Sequence, residues 1–103
     1  MTPEAKVKDK IKKILKAENV YYAMPHGAGY GNAGVPDFLC CVAGKFLAIE
    51  AKAKGGKPTA LQVKNMEDIK QAGGLSLVVD EEILAKKTLE WTINYLKDRS
   101  NES

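Results

Sequence analysis

The sequence predicts a single α/β domain with a mixed central sheet flanked by helices, in the order α-β-β-β-α-β-α. Segments with apolar residues at helical spacing alternate with short apolar runs that are typical of buried strands. Loops rich in glycine and lysine separate these segments. The chain has 103 residues, which allows one modest core but not two independent domains. We therefore expect one domain over residues 1–98 and a frayed polar tail over 99–103.

The first helix is predicted from Thr2 to about Asn19. Thr2 is a suitable N-cap, and Pro3 suits the first helical position. Apolar residues then recur at helical spacing, at Val7, Ile11, Ile14 and Leu15. A short strand at 20–23 and a glycine-rich loop at 25–34 follow this helix.

Two apolar runs, 38–42 and 46–51, predict a β-hairpin that turns at Ala43-Gly44. Both runs are apolar at consecutive positions, so the hairpin is expected to be central in the sheet and covered on each face.

The remaining elements are a helix from Thr59 to about Ala72, a strand at 75–79 and one last helix from Glu81 to Lys97. Gly73-Gly74 ends the first of these helices. Because a helix separates the third and fourth strands, these two strands can be parallel.

Composition and charge restrict the classes of protein that the chain can represent. The net charge of +3 is compatible with a nucleic-acid partner but does not require one. Cys40 and Cys41 are adjacent within an apolar run, which favours reduced core residues and a cytoplasmic protein. His26 is the only histidine, so a zinc site is not expected. No apolar run approaches the length that spans a membrane.

A glycine pattern in the loop resembles a dinucleotide-binding motif but lacks its context. Gly29, Gly31 and Gly34 spell G-x-G-x-x-G, and Glu50 follows at a suitable distance. That motif requires a helix that opens directly after the glycines and holds the pyrophosphate at its N-terminus. Here Pro36 follows and disfavours helical geometry before it, so the dinucleotide interpretation is rejected.

The register of the predicted hairpin brings charged residues together. A tight turn at Ala43-Gly44 pairs residues whose numbers sum to 87, which places Asp37 opposite Glu50. Lys52 follows Glu50 by two residues and therefore points to the same face. Oxygen ligands of this kind suit Mg²⁺ or Mn²⁺, and the main-chain carbonyl of Ala51 is a further candidate ligand. The alternative is a surface ion-pair cluster without a metal.

Three motifs in order resemble a known nuclease family. Pro36-Asp37, twelve intervening residues and Glu50-Ala51-Lys52 match the PD-(D/E)XK nuclease signature. Gly34-Val35-Pro36-Asp37, Glu50-Ala51-Lys52 and Thr59-Ala60-Leu61-Gln62 resemble more narrowly the virus-type replication-repair nuclease (VRR-NUC) domain, over roughly residues 2–80.

The resemblance implies a metal-dependent phosphodiesterase. Asp37 and Glu50 would bind Mg²⁺ or Mn²⁺, and Lys52 would stabilise charge or orient the attacking water. Gln62 would support Lys52 or the water, unless it is only a solvated residue of the first helical turn. A glutamate early in the first helix belongs to the family pattern. Glu4 is the matching residue, although it also suits an ordinary helix start, and Glu18 is the second choice.

The resemblance also implies a DNA endonuclease, in particular a Holliday-junction resolvase that acts as a homodimer in DNA repair. Other DNA structures as substrates and a non-catalytic nucleic-acid-binding module are the alternatives. A cytoplasmic location is expected, in the host cell if the protein is viral. The candidate DNA contacts are Tyr30, His26, Lys45, Lys54 and Lys57, together with the lysines of the first helix. The candidate dimer interface on the last helix consists of Leu89, Trp91, Ile93 and Tyr95.

Overall fold

The computed structural model describes residues 1–25 and 34–100, without the side chain of Ser100, and confirms a mixed α/β architecture over them. The candidate DNA contacts His26 and Tyr30 lie outside the described residues. Eight elements follow in order: α1 (Pro3–Ala17), β1 (Tyr21–Ala23), β2 (Phe38–Val42), β3 (Lys45–Ala51), α2 (Ala60–Gln71), β4 (Leu75–Val79), α3 (Glu81–Ala85) and α4 (Thr88–Ser100).

Within the described residues, the four strands form one mixed sheet in the order β1-β2-β3-β4. β2 is antiparallel to β1 and to β3, whereas β3 and β4 are parallel. The predicted central position of the hairpin and the predicted parallel crossover through α2 are therefore confirmed.

The hairpin has the predicted register. The ladder runs from Phe38 opposite Ile49 to Val42 opposite Lys45, so every paired set of numbers sums to 87. Ala43 and Gly44 have φ angles of 50° and 83°, which is the left-handed geometry of a two-residue hairpin turn. The turn fixes this register, and a one-residue slip of one strand against the other would place Asp37 and Glu50 on opposite faces.

Helices pack on both faces of the sheet. Alternate strand residues such as Phe38, Leu47 and Ile49 face α1 and α4, and together they form the main core. The contributions of the two helices to this core are Val7, Ile11 and Leu15 from α1, and Leu89, Ile93 and Leu96 from α4. Glu50 lies one position out of phase with Leu47 and Ile49, so it points to the opposite face, which α2 covers.

The prediction that the hairpin is covered on both faces is wrong for one part of the sheet. Cys41 is exposed and Phe46 remains 45% exposed, whereas Cys40 is buried. α2 packs mainly against β4, at the far edge of the sheet, and leaves the outer part of β2 uncovered. Burial raises the pKa of the Cys40 thiol to about 12, which keeps it protonated and unreactive.

The single last helix that the sequence predicts is divided into α3 and α4. Asp80 caps α3 by accepting a hydrogen bond from the N–H of Ile83, and Lys87 adopts a left-handed φ of 59° before α4 begins. Residues on one face of a helix recur at spacings of three or four, but Leu89 follows Leu84 by five. One continuous helix would therefore not place both leucines on its buried face. α4 also continues to Ser100, which is two residues into the predicted tail.

Candidate active site

The segment before β2 positions Asp37. Gly34 turns with a φ of 83°, and a β-carbon there would lie 2.6 Å from Cγ of Leu61, so this turn lies directly against α2. Asp37 then precedes the first residue of β2, and its Oδ2 accepts a hydrogen bond of 2.9 Å from the N–H of Ala51. The Asp37 side chain thus continues the hairpin ladder one step beyond the last backbone pair.

The carbonyl of Ala51, predicted as a candidate metal ligand, lies on the Asp37 side of β3. In an extended strand the N–H and C=O of one residue point to the same side. The N–H of Ala51 points to Asp37, while the next N–H, that of Lys52, donates to the carbonyl of Val79 in β4 at 2.9 Å.

Glu50 is a buried carboxylate with unequal oxygens. The residue is only 3% exposed, although its side chain is an ionisable carboxyl group. Its Oε2 accepts a hydrogen bond of 3.0 Å from Nε2 of Gln62 and lies 3.3 Å from Nζ of Lys52. Its Oε1 has no hydrogen-bond partner in the part of the chain that the structure describes. A buried oxygen without a partner is costly, so this carboxylate is not explained by packing or stability.

Burial raises the pKa of Glu50 above its ordinary value of 4.5, and the negative charge of Asp37 raises it further. The ammonium of Lys52 and the backbone amide of Asp37 oppose this shift. Two carboxylates at one end of the hairpin therefore repel each other, as the predicted register implied. A bound cation would relieve this repulsion.

Gln62 reaches Glu50 because it belongs to a capping box at the start of α2. The Thr59 hydroxyl accepts a hydrogen bond from the N–H of Gln62, and Gln62 Oε1 accepts one from the N–H of Thr59. These contacts leave the Nε2 of Gln62 to donate to Glu50. The T-x-x-Q motif thus has a physical explanation. Gln62 donates to the same Glu50 oxygen that Lys52 approaches, whereas the sequence analysis suggested that it supports Lys52 or the water.

Loss of the Thr59 hydroxyl is expected to weaken the start of α2. Thr59→Ala should lower the free energy of unfolding by about 1 kcal/mol, the typical value of an N-cap, whereas Thr59→Ser should retain most of it. Urea unfolding of both variants in EDTA measures the difference. Equal stability of the alanine and serine variants would contradict a role of the hydroxyl in capping.

Lys8 lies at the site, whereas the sequence analysis considered it only among the lysines of the first helix that could bind phosphates. Its Nζ lies 3.5 Å from Oδ1 of Asp37 and 3.7 Å from Oε2 of Glu4. Glu4, a predicted site residue, is thus linked to Asp37 through the ammonium of Lys8. The available signal was the spacing of four residues between Glu4 and Lys8, which places both on one side of α1.

The second choice, Glu18, is not at the site. It caps the opposite end of α1, and its side chain lies 3.4 Å from Nζ of Lys97. Glu18 lies fourteen positions after Glu4 along the helix, which corresponds to about 20 Å. Glu18 therefore cannot complete a centre at Asp37 and Glu50.

The candidate phosphate-binding lysines occupy two different places. Lys54 and Lys57 are exposed in the loop that follows β3, close in the chain to Lys52. Lys45 is exposed beside the hairpin turn. Lys45 lies five positions before Glu50 in β3, which corresponds to about 16 Å along the strand from the Glu50 carboxylate.

The donor set fits one hydrated hard cation better than a fully protein-coordinated metal. No group of three or more His, Cys, Asp and Glu side chains arranged to hold a metal occurs in residues 1–25 and 34–100. Asp37 and Glu50 supply two carboxylates, and Oε1 of Glu50 is unpartnered among the described residues. Mg²⁺ commonly binds one or two carboxylates and keeps several waters. The chemistry of these residues therefore fits Mg²⁺ or Mn²⁺ and does not fit zinc.

The candidate dimer helix α4 presents two different sides. Leu89 and Ile93 are fully buried in the core, so they are not available to a partner. Trp91 and Tyr95 are exposed on the other side and stack with their ring centroids 5.2 Å apart. The guanidinium of Arg99 lies over the Tyr95 ring.

Comparisons with known proteins supply no relative from which a function can be transferred. No model of a known protein family matches the chain, and no curated protein sequence matches it significantly.

Considering only the part of the chain that the structure describes, none of the helices has the length and apolar character needed to cross a membrane.

Proposed function

We propose that the protein is a metal-dependent endonuclease that hydrolyses phosphodiester bonds in DNA, with a PD-(D/E)XK core of the VRR-NUC type. The convergence of the motif residues on one buried carboxylate supports this proposal most strongly. Oε2 of Glu50 accepts a hydrogen bond from Gln62 and pairs with Lys52, whereas Oε1 has no partner among the described residues. Asp37 adds a second negative charge.

Each residue of this cluster has a role that its contacts support. A divalent ion, when bound, would lower the pKa of its water, orient the phosphate and stabilise the leaving oxygen. Asp37 and Glu50 would hold the ion, since the negative charge of Asp37 acts on the buried carboxylate of Glu50. Gln62 orients the Glu50 carboxylate through Oε2, and the Lys52 ammonium stabilises the negative charge that develops on the phosphate.

We extend the proposal to a branched DNA substrate and to a homodimer. The basis is the resemblance to stand-alone VRR-NUC domains, which are similar to small Holliday-junction resolvases. Two coordinated cuts in a four-way junction require two active sites. The exposed Trp91 and Tyr95 on α4 are the candidate contacts between the two copies, and Lys54 and Lys57 are candidate phosphate contacts beside the site.

A cleavage panel tests this proposal. A four-way junction, a flap, a single strand and a matched linear duplex are incubated with the protein in Mg²⁺, in Mn²⁺ and in EDTA. We expect cleavage with either metal, none in EDTA, and preference for the junction. Asp37→Asn and Lys52→Met should each reduce cleavage at least about 100-fold, the usual scale for loss of electrostatic stabilisation of a transition state.

Lys64→Met is the matched control for the lysine variant. Lys64 forms an exposed ion pair with Asp68 on α2, so its loss should leave the cleavage rate within about threefold. Binding without cleavage of any of these DNAs by the wild type would contradict the enzyme and favour the non-catalytic binding module. Cleavage of the linear duplex at the same rate as the junction would contradict only the branched substrate.

A further inference from the structure

We propose that Lys8 occupies the position of a second cation, between Glu4 and Asp37, and thereby limits the centre at Asp37 and Glu50 to one divalent metal ion. This inference rests on the proposed function, because it concerns the metal ion of the proposed nuclease. Beyond the proposed function, it gives the number of metal ions in the centre and names Lys8 as the residue that limits this number.

Lys8 joins carboxylates from two different elements. Its ammonium lies within ion-pair distance of Glu4 on its own helix and of Asp37 before β2. Carboxylates that approach one point repel each other unless a cation lies near both. Lys8 supplies that cation from within the chain. The Lys8 and Asp37 side chains are 33% and 22% exposed and that of Glu4 is 43% exposed, so solvent screens the pair with Asp37 less than the pair with Glu4.

The oxygens of the centre are partnered unequally. Asp37 uses Oδ2 for the N–H of Ala51 and presents Oδ1 to Lys8. The Glu4 carboxylate is likewise paired with Lys8. On Glu50, by contrast, Oε1 is buried and lacks a partner in the described part of the chain. The oxygen without a partner among the described residues is therefore on Glu50, whereas the Glu4 carboxylate is already paired with the ammonium of Lys8.

The charge balance also favours one divalent ion. Three carboxylates, those of Glu4, Asp37 and Glu50, face the two ammonium groups of Lys8 and Lys52, which gives a net charge of −1 when all are ionised. One divalent ion changes this net charge to +1, and a second would change it to +3. A second ion would also have to bind beside ammonium groups that repel it.

The test counts manganese ions in the intact protein without measuring cleavage. Calorimetric titration gives the number of Mn²⁺ ions per chain, and electron paramagnetic resonance detects spin coupling between neighbouring Mn²⁺ ions. Wild type should bind one ion that is lost in Asp37→Asn. Lys8→Met should bind two spin-coupled ions, and Lys8→Arg, which keeps the charge, should bind one.

Lys13→Met is the matched control on the same helix. Lys13 forms an ion pair with Asp9 at the same spacing of four residues, but its side chain is 76% exposed. This variant should bind one ion, as the wild type does. Glu4→Gln combined with Lys8→Met should return the count from two to one, because the second ion requires the Glu4 carboxylate. Circular dichroism verifies folding, and Lys8→Gln replaces Lys8→Met if the methionine variant does not fold.

The outcomes separate this inference from the proposed function. Two ions in the wild type, or one ion in a folded variant that lacks the Lys8 charge, would overturn the role of Lys8 and leave the metal centre intact. If Mn²⁺ binding is absent, or is the same in wild type and Asp37→Asn, the metal centre of the proposed nuclease fails and the role of Lys8 fails with it.

Discussion

Glu50→Gln is expected to abolish DNA cleavage and, at neutral pH, to stabilise the protein when metal is absent. Cleavage should fall at least about 100-fold, because the variant loses the negative charge that would hold the metal ion. The free energy of unfolding should rise by on the order of 1 kcal/mol, the usual size of a single-substitution effect. Glutamine has nearly the same shape as glutamate and cannot carry the negative charge that burial and Asp37 disfavour, and this effect outweighs the loss of the ion pair with Lys52 because the net pKa shift of Glu50 is upward.

The gain in stability should depend on pH in a defined direction. Burial and the charge of Asp37 raise the pKa of Glu50 in the folded protein above 4.5. The folded state therefore binds this proton more tightly than the unfolded state does. The resulting stabilisation of the wild type is complete below about pH 4.5 and is lost as the pH rises through the raised pKa of Glu50.

Urea unfolding in EDTA from pH 4 to pH 8 measures this difference. The free energy of unfolding of Glu50→Gln should exceed that of the wild type most at pH 8, and this difference should decrease towards pH 4. Glu67→Gln, at an exposed position on α2, is the matched control and should show no such trend. A Glu50→Gln variant that is less stable than the wild type at pH 8 would show that the ionised carboxylate stabilises the fold.

Asp37→Asn and Asp37→Ala are expected to separate catalysis from folding. Both variants should lose cleavage at least about 100-fold, because both remove the carboxylate charge. Asparagine retains an oxygen that can accept the N–H of Ala51, whereas alanine leaves that N–H without its acceptor. The alanine variant should therefore be less stable than the asparagine variant by about 1–3 kcal/mol.

Chemical denaturation in EDTA and cleavage assays in Mg²⁺ measure these two effects separately. Asp9→Asn and Asp9→Ala are the matched pair at a carboxylate that forms an ion pair within α1. These two variants should retain cleavage and differ little in stability from each other. Equal stability of the two Asp37 variants would contradict a structural role of the hydrogen bond to Ala51.

Local patterns predicted the elements that carry the site. The Ala43-Gly44 turn and the apolar runs on either side of it were sufficient to predict the hairpin and its register. Periodicity also predicted α1 and α2 close to their observed bounds. It failed for the last helix, where the interrupted spacing between Leu84 and Leu89 was not recognised as a break.

Contacts between elements that are distant in the chain were not predictable in the same way. The spacing between Glu4 and Lys8 indicated a pair within α1, but only the packing of α1 on the sheet brings Lys8 to Asp37. The incomplete cover over Cys41 and Phe46 has the same origin, since it depends on where α2 lies.

The sequence alone determined the α/β class, the hairpin register and the presence of Asp37, Glu50 and Lys52 at one end of it, because turn chemistry and the two-residue repeat of a strand act locally. The tertiary structure alone decided that Glu50 is buried with an unpartnered oxygen, that Gln62 donates to it, and that Lys8 pairs with Asp37. These features follow from the burial and charge of side chains on separate elements, which interact only after the elements have packed.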